Sequence, residues 1–151
     1  MNERFRQHTQ NAPELFQALL DNELTPLRGT RFPKSPAIYV FYYDNVAVHV
    51  GRTRNLQQRL RGHVSNSHYS ASFAFKRARG ETQRVATYKP EGSRTALLKD
   101  EVFAAAFAKA LSEVRGMSVR YLLVDNPIDQ YLLELYAALE LETSLSEFDS
   151  H

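Results

Sequence analysis

The chain has 151 residues, 43% hydrophobic and 24% charged, with a formal net charge of +2 and no cysteine. That balance describes one folded domain able to bury a core unaided. It excludes a disordered chain, a disulfide scaffold, thiol nucleophiles, Cys-based zinc sites and iron–sulfur centres. The start, Met1–Arg6, has no apolar run behind a basic end, so no signal peptide is expected. No stretch approaches the roughly 20 apolar residues that cross a bilayer, and the absence of thiols suits a reducing, cytoplasmic setting.

Taken in chain order, Pro13 to Leu20 is the first predicted helix. Leu15, Phe16, Leu19 and Leu20 fall at helical spacing and Asn11 stands as N-cap. A loop with Pro26, Gly29, Pro33 and Pro36 follows. It sets residues 1–30 apart as an N-terminal helical extension to a main domain over 31–151. Ala37–Tyr43 is rich in aromatic and β-branched residues; with Asp44-Asn45 and Val46–Gly51 it predicts a β-hairpin. A helix is expected over Asn55–Val64, with Leu56, Leu60 and Val64 as its stripe and Thr53 or Asn55 as cap. The next stretch predicts a short helix over Ser70–Arg79 and irregular chain over Glu81–Gly92. Ala- and Leu-rich sequence predicts one long helix from Arg94 to Glu113, with Gly116 just past its end. Met117–Val124 reads as a third strand. Asn126-Pro127 opens a last helix with Pro at its first position, carrying Ile128, Leu132, Leu135 and Leu139 on one face. The class is α+β, with a small three-stranded, mainly antiparallel sheet flanked by helices.

Charge is unevenly spread. Residues 31–99 hold 13 basic and 3 acidic side chains, and residues 121–151 hold 7 acidic and no basic ones. A basic middle suits a polyanion such as nucleic acid. Solvated surface charge, neutralised in three dimensions by the acidic helix, accounts for it as well.

Five polar groups fall at informative places: Tyr39, His49, Arg59, His63 and Glu134. Arg59 and His63 are four apart on one predicted helix and share a face, which by itself describes a solvated flank. Glu134 sits among leucines, either at the edge of the apolar stripe or as a ligand. Tyr39 by itself is an ordinary strand aromatic. His49 is the polar residue in an otherwise apolar strand.

Together these residues resemble the GIY-YIG nuclease family. Ala37-Ile38-Tyr39 stands as the first motif and His49-Val50-Gly51 as the second. The likeness continues through a basic turn and capped helix to Arg59 and His63, and on to Glu134 of the last helix. Ala37 replaces the motif's glycine and His49 its second tyrosine. Where the family often carries an asparagine after the glutamate, Ser146 stands in one register and Asp149 in a one-gap shift.

The resemblance implies a metal-dependent endonuclease acting on DNA rather than RNA, with one Mg²⁺ or Mn²⁺ on Glu134 alone. Mg²⁺ keeps several waters and often takes one or two carboxylates, so a single Glu is chemically reasonable. Arg59 would bind a phosphate oxygen, and Tyr39 or His49 would deprotonate water, the imidazole having the more suitable intrinsic pKa. His63 would orient phosphate or shuttle a proton, with His68 and Ser146 as additional candidates. Arg52, Arg54, Arg61, Lys76, Arg77 and Arg79 are candidates for backbone contacts. The alternative is a nucleic-acid-binding module of the same fold without cleavage. No membrane role is expected, and a homodimer is one option for cutting both strands.

The hairpin supplies a register test. A two-residue Asp44-Asn45 loop pairs Val40 with His49 and puts Tyr39 and His49 on opposite faces. A three-residue Tyr43-Asp44-Asn45 loop pairs Tyr39 with His49 and groups Ile38, Val40, Val48 and Val50 on a buried face. The second is expected, since Asn tolerates the left-handed conformation such a loop needs.

Overall fold

The computed structural model describes residues 1–83 and 93–145. Ser146, Asp149 and most of the stretch expected to be irregular before Gly92 lie outside the described residues. The chain forms two compact units, Met1–Gln58 with Met117–His151, and Arg59–Gly116.

The first unit holds an antiparallel four-stranded sheet in the order β1-β4-β2-β3, with β1 Thr25–Pro26, β2 Ala37–Tyr43, β3 Val46–Thr53 and β4 Ser118–Leu123. The expected sheet had three strands. Thr25–Pro26 is too short to show alternation, and its proline fits only because β1 is an edge strand. Helix α1 spans Glu3–Asp21, with Asn2 accepting from the backbone N–H groups of Arg4 and Phe5. It therefore starts well before the expected Pro13. Proline favours a first turn, but here it sits inside the helix, where it removes one backbone donor. Tertiary contacts offset that loss. The helix packs on α6 (Pro127–Glu140), where His8 Nδ1 lies 2.7 Å from Asp129 Oδ1 and Asn11 Nδ2 donates to the same oxygen.

The core of this unit joins Leu19, Ile38, Val40, Val50, Leu133, Ala137 and Ala138. Of the four apolar residues expected on one face of α6, Ile128 and Leu132 are half-buried, whereas Leu135 is 42% and Leu139 57% exposed. Helix α6 is apolar on most sides, so periodicity alone could not choose its face. The small Ala137 and Ala138 pack into the core instead, and buried Gln130 fixes the helix's rotation through hydrogen bonds described below.

The hairpin turn has two residues, not three. Asp44 (φ 51°) and Asn45 (φ 64°) are both left-handed, as a two-residue type I′ turn requires. Tyr43 pairs with Val46 and Tyr42 with Ala47. The ladder then slips, and Phe41 pairs with His49, Val40 with Val50 and Tyr39 with Gly51. Val48 is thus the extra residue of a β-bulge rather than a partner on the expected buried face. Because side chains alternate with period two, a one-residue insertion reverses the facing of everything beyond it. The shorter turn would have separated Tyr39 from His49; the bulge returns them to one face.

In the second unit, α3 spans Ser72–Thr82, α4 Arg94–Lys99 and α5 Glu101–Arg115. Helix α3 packs on α5, with the Phe75 ring centroid 5.1 Å from that of Phe103 and 6.1 Å from that of Phe107. It runs past the expected stop, through Glu81, and ends where Gln83 turns left-handed (φ 57°). The single long helix expected from Arg94 is broken at Asp100, whose extended backbone (ψ 123°) interrupts it. The Asp100 carboxylate caps α5 by accepting from the N–H groups of Val102 and Phe103. Ala and Leu propensity hid this break, although Asp is a strong N-cap residue. Asp100→Ala is expected to cost about 1 kcal/mol, read as a lowered midpoint in chemical denaturation. Helix α2, Leu56–His63, runs from the end of the first unit into the second. Its Gln58 N–H is capped by Asn55 Oδ1 at 3.1 Å. Among the described residues no helix is long and apolar enough to cross a membrane.

Candidate active site

In the first unit, Tyr39 is buried and lies across the hairpin on Gly51. A Cβ on Gly51 would fall inside the contact surface of Tyr39 Cζ and Oη, and 2.9 Å from Cε1. Glycine is therefore required by this close approach and not by an unusual φ. The His49 ring lies 5.9 Å from that of Tyr39 and 5.4 Å from that of Phe41, centroid to centroid. The hairpin thus brings a phenol from β2 and an imidazole from β3 side by side.

The residue after Gly51 points to the other face and meets α6. Arg52 Nε is 3.4 Å from Glu134 Oε1, and its guanidinium carbon is 3.9 Å from the centre of the Tyr131 ring. The Glu134 residue is only 9% exposed, whereas Tyr131 is 55% exposed. The contact is an ion pair without hydrogen-bond geometry, since Arg52 Nε is buried and makes no hydrogen bond. One turn before Glu134, the buried Gln130 amide donates to Thr53 O at 3.0 Å and Ala37 O at 3.4 Å. Ala37 and Thr53 are partners at one end of the hairpin. Gln130 therefore ties α6 to that end and sets where Glu134 stands. Its Oε1 accepts from Arg54, which also donates to Asp125 O at 2.9 Å. Sequence reasoning missed Gln130 and Tyr131. The available signal was their spacing, four and three residues before Glu134 on a helix.

In the second unit, Arg59 donates to Ser70 O at 3.0 Å and Ser72 Oγ at 2.6 Å. These bonds hold the guanidinium in a fixed orientation. His63 is fully buried, so it is not part of the solvated flank that its spacing from Arg59 suggested. His68 stacks on Tyr69 with centroids 4.0 Å apart. Burial, and secondarily the Arg94 charge, lower the His68 pKa below its ordinary 6.5. The unfolded chain then binds the proton more readily than the folded one, so stability falls as pH drops below about 6.5. His68→Gln is expected to flatten that acid limb in urea midpoints measured from pH 7.5 to 5.

The basic candidates differ in their surroundings. Arg77 pairs with Glu113 at 2.6 Å. Arg79 lies over the Phe75 ring, and burial with the neighbouring Arg94 charge lowers its pKa. Lys76 is half-buried and Arg61 is exposed. Arg52 and Arg54 are engaged at α6 as described.

Among the described residues, no three His, Asp or Glu side chains gather as a metal-binding group. A cation on Glu134 would therefore complete its shell with water and phosphate oxygens, which suits a strongly hydrated ion such as Mg²⁺. The low exposure of Glu134 calls for a cationic partner, which in this structure is Arg52. The donor chemistry fits a divalent ion.

No family model matches the sequence, and no curated protein matches it. Among solved structures, the chain is similar to the GIY-YIG N-terminal endonuclease domain of UvrC from Thermotoga maritima. Three point mutants of that domain, each described as bound to its catalytic divalent cation, share 12%, 13% and 14% identity with it. The TM-score is 0.40 in each case, over 95% of this chain and 94% of the other.

Proposed function

We propose that this chain is an endonuclease that hydrolyses phosphodiester bonds in DNA with the help of Mg²⁺ or Mn²⁺. The observation that carries the reading is the Gly51–Arg52 step. There Tyr39 of the inner strand β2 and His49 of the edge strand β3 share one face of the sheet, and the residue after Gly51 meets Glu134.

Glu134 would hold the ion, which when bound stabilises charge on the scissile phosphate and leaving oxygen. His49 accepts the proton of the attacking water, and the buried Tyr39 packs beside its ring and positions it. Within the second unit Arg59 is pre-oriented by Ser70 and Ser72, and the family resemblance gives it the role of binding a phosphate oxygen. His63, having no access to solvent, acts as a positioning residue for Arg59 one helical turn away. Arg61 and Lys76 contact the DNA backbone, and His68 and Ser146 are auxiliary candidates. The enzyme works in the cytoplasm, and two copies acting together would cut both strands. Residues 1–30 are an extension that buttresses the nuclease domain through α1.

Supercoiled plasmid incubated with the protein and a panel of divalent ions tests the reading. Nicking that appears with Mg²⁺ or Mn²⁺ and stops with EDTA supports it. Salt-sensitive DNA binding with no cleavage under any ion would assign the chain instead to the non-cleaving module.

A further inference from the structure

The carboxylate assigned to the metal already has a cation beside it. Arg52 Nε is 3.4 Å from Glu134 Oε1, yet it makes no hydrogen bond. The attraction is therefore charge against charge and not a directional bond, and it can be given up without breaking an oriented contact. The same guanidinium also rests on Tyr131, 3.9 Å from the ring centre. Stacking on an aromatic face stays favourable when an ion pair is lost. Tyr131 is largely exposed, so this resting place opens toward solvent. A divalent ion on Glu134 and a guanidinium at this distance repel each other, so both cannot keep their full attraction to the carboxylate.

We infer that Arg52 is a built-in counter-ion of Glu134, which a divalent ion must displace, and that Tyr131 holds the displaced guanidinium ready for a phosphate oxygen. This rests on the reading of Glu134 as the metal ligand. The arrangement couples the two ligands of the site. Phosphate that draws Arg52 away frees the carboxylate for the ion, and by linkage the ion favours phosphate binding. Arg52 is then a positioning and gating residue, distinct from a plain backbone contact.

Mn²⁺ titration of the full chain without nucleic acid, followed by calorimetry or electron paramagnetic resonance, tests it. Arg52→Met is expected to bind Mn²⁺ roughly tenfold more tightly than the unmodified protein, given the charge removed at a partly exposed site. Arg52→Lys keeps the charge and is expected to stay within about threefold. Tyr131→Leu, at an exposed position that leaves the core intact, is expected to weaken the gain in Mn²⁺ affinity on adding a short DNA duplex. Equal Mn²⁺ affinity in Arg52→Met and the unmodified protein, with binding still lost in Glu134→Gln, would overturn the inference alone. Weaker binding in Arg52→Met would also overturn it. Mn²⁺ binding that survives in Glu134→Gln, or is absent from every variant, would overturn the assignment of Glu134 and the inference with it. Unchanged circular dichroism in Tyr131→Leu keeps that arm readable if Arg52→Met fails to fold.

Discussion

Glu134→Gln is expected to reduce plasmid nicking on the order of 10³-fold or more while leaving the protein folded. The substitution keeps side-chain size and an oxygen facing Arg52, but removes the charge that would hold a divalent ion. No three-residue acidic or histidine cluster among the described residues offers a substitute site. The effect on stability should be small. Although Glu134 is nearly buried, the Arg52 side chain is 35% exposed, and such pairs contribute about 1 kcal/mol or less. Nicking and thermal melting measured on one preparation separate the two effects. Retained nicking, at more than about a tenth of the original rate, would remove Glu134 from the chemistry.

Gly51→Ala is expected to lower stability by about 1–3 kcal/mol and to depress nicking by more than stability loss explains. The added methyl cannot fit without moving the Tyr39 ring. That ring also packs 5.3 Å from Phe41, centroid to centroid, in the interior. Moving it disturbs both the core and the phenol beside His49. The double variant Gly51→Ala with Tyr39→Leu isolates the clash. If the Tyr39 ring is what the methyl strikes, the alanine should cost far less in the Tyr39→Leu background. An equal cost in both backgrounds, read from urea midpoints, would place the strain elsewhere.

Much of the architecture was legible because local chemistry and tertiary structure agree. The hairpin strands, the caps at Asn55 and Asn126, and the proline opening α6 all follow from residues near in sequence. The misses share one cause. Pro13 reads locally as a helix start, but contacts with α6 carry the helix through it. The uniform Ala and Leu propensity of Arg94–Glu113 concealed the cap at Asp100. Thr25–Pro26 carries no strand pattern and becomes one only by pairing with β4.

The candidate site shows the same division. The motif pattern in the sequence singles out Tyr39, His49, Arg59, His63 and Glu134 as candidates. Tyr39 and His49 share a face as expected, but not as a direct pair: the turn is one residue shorter, and the bulge at Val48 restores the facing. Sequence spacing also could not show that Arg52 turns inward to Glu134 or that Gln130 anchors their helix.

By itself, then, the sequence determined the hairpin, the capped helix after it and the last strand and helix, and singled out candidate side chains, because periodicity, turn residues and motif identity are local properties. Tertiary structure alone decided the hairpin register, the face of α6 that enters the core and the partner of each buried charge. Those depend on where segments distant in the chain pack, and a single inserted residue or a helix rotated by one side chain reverses them.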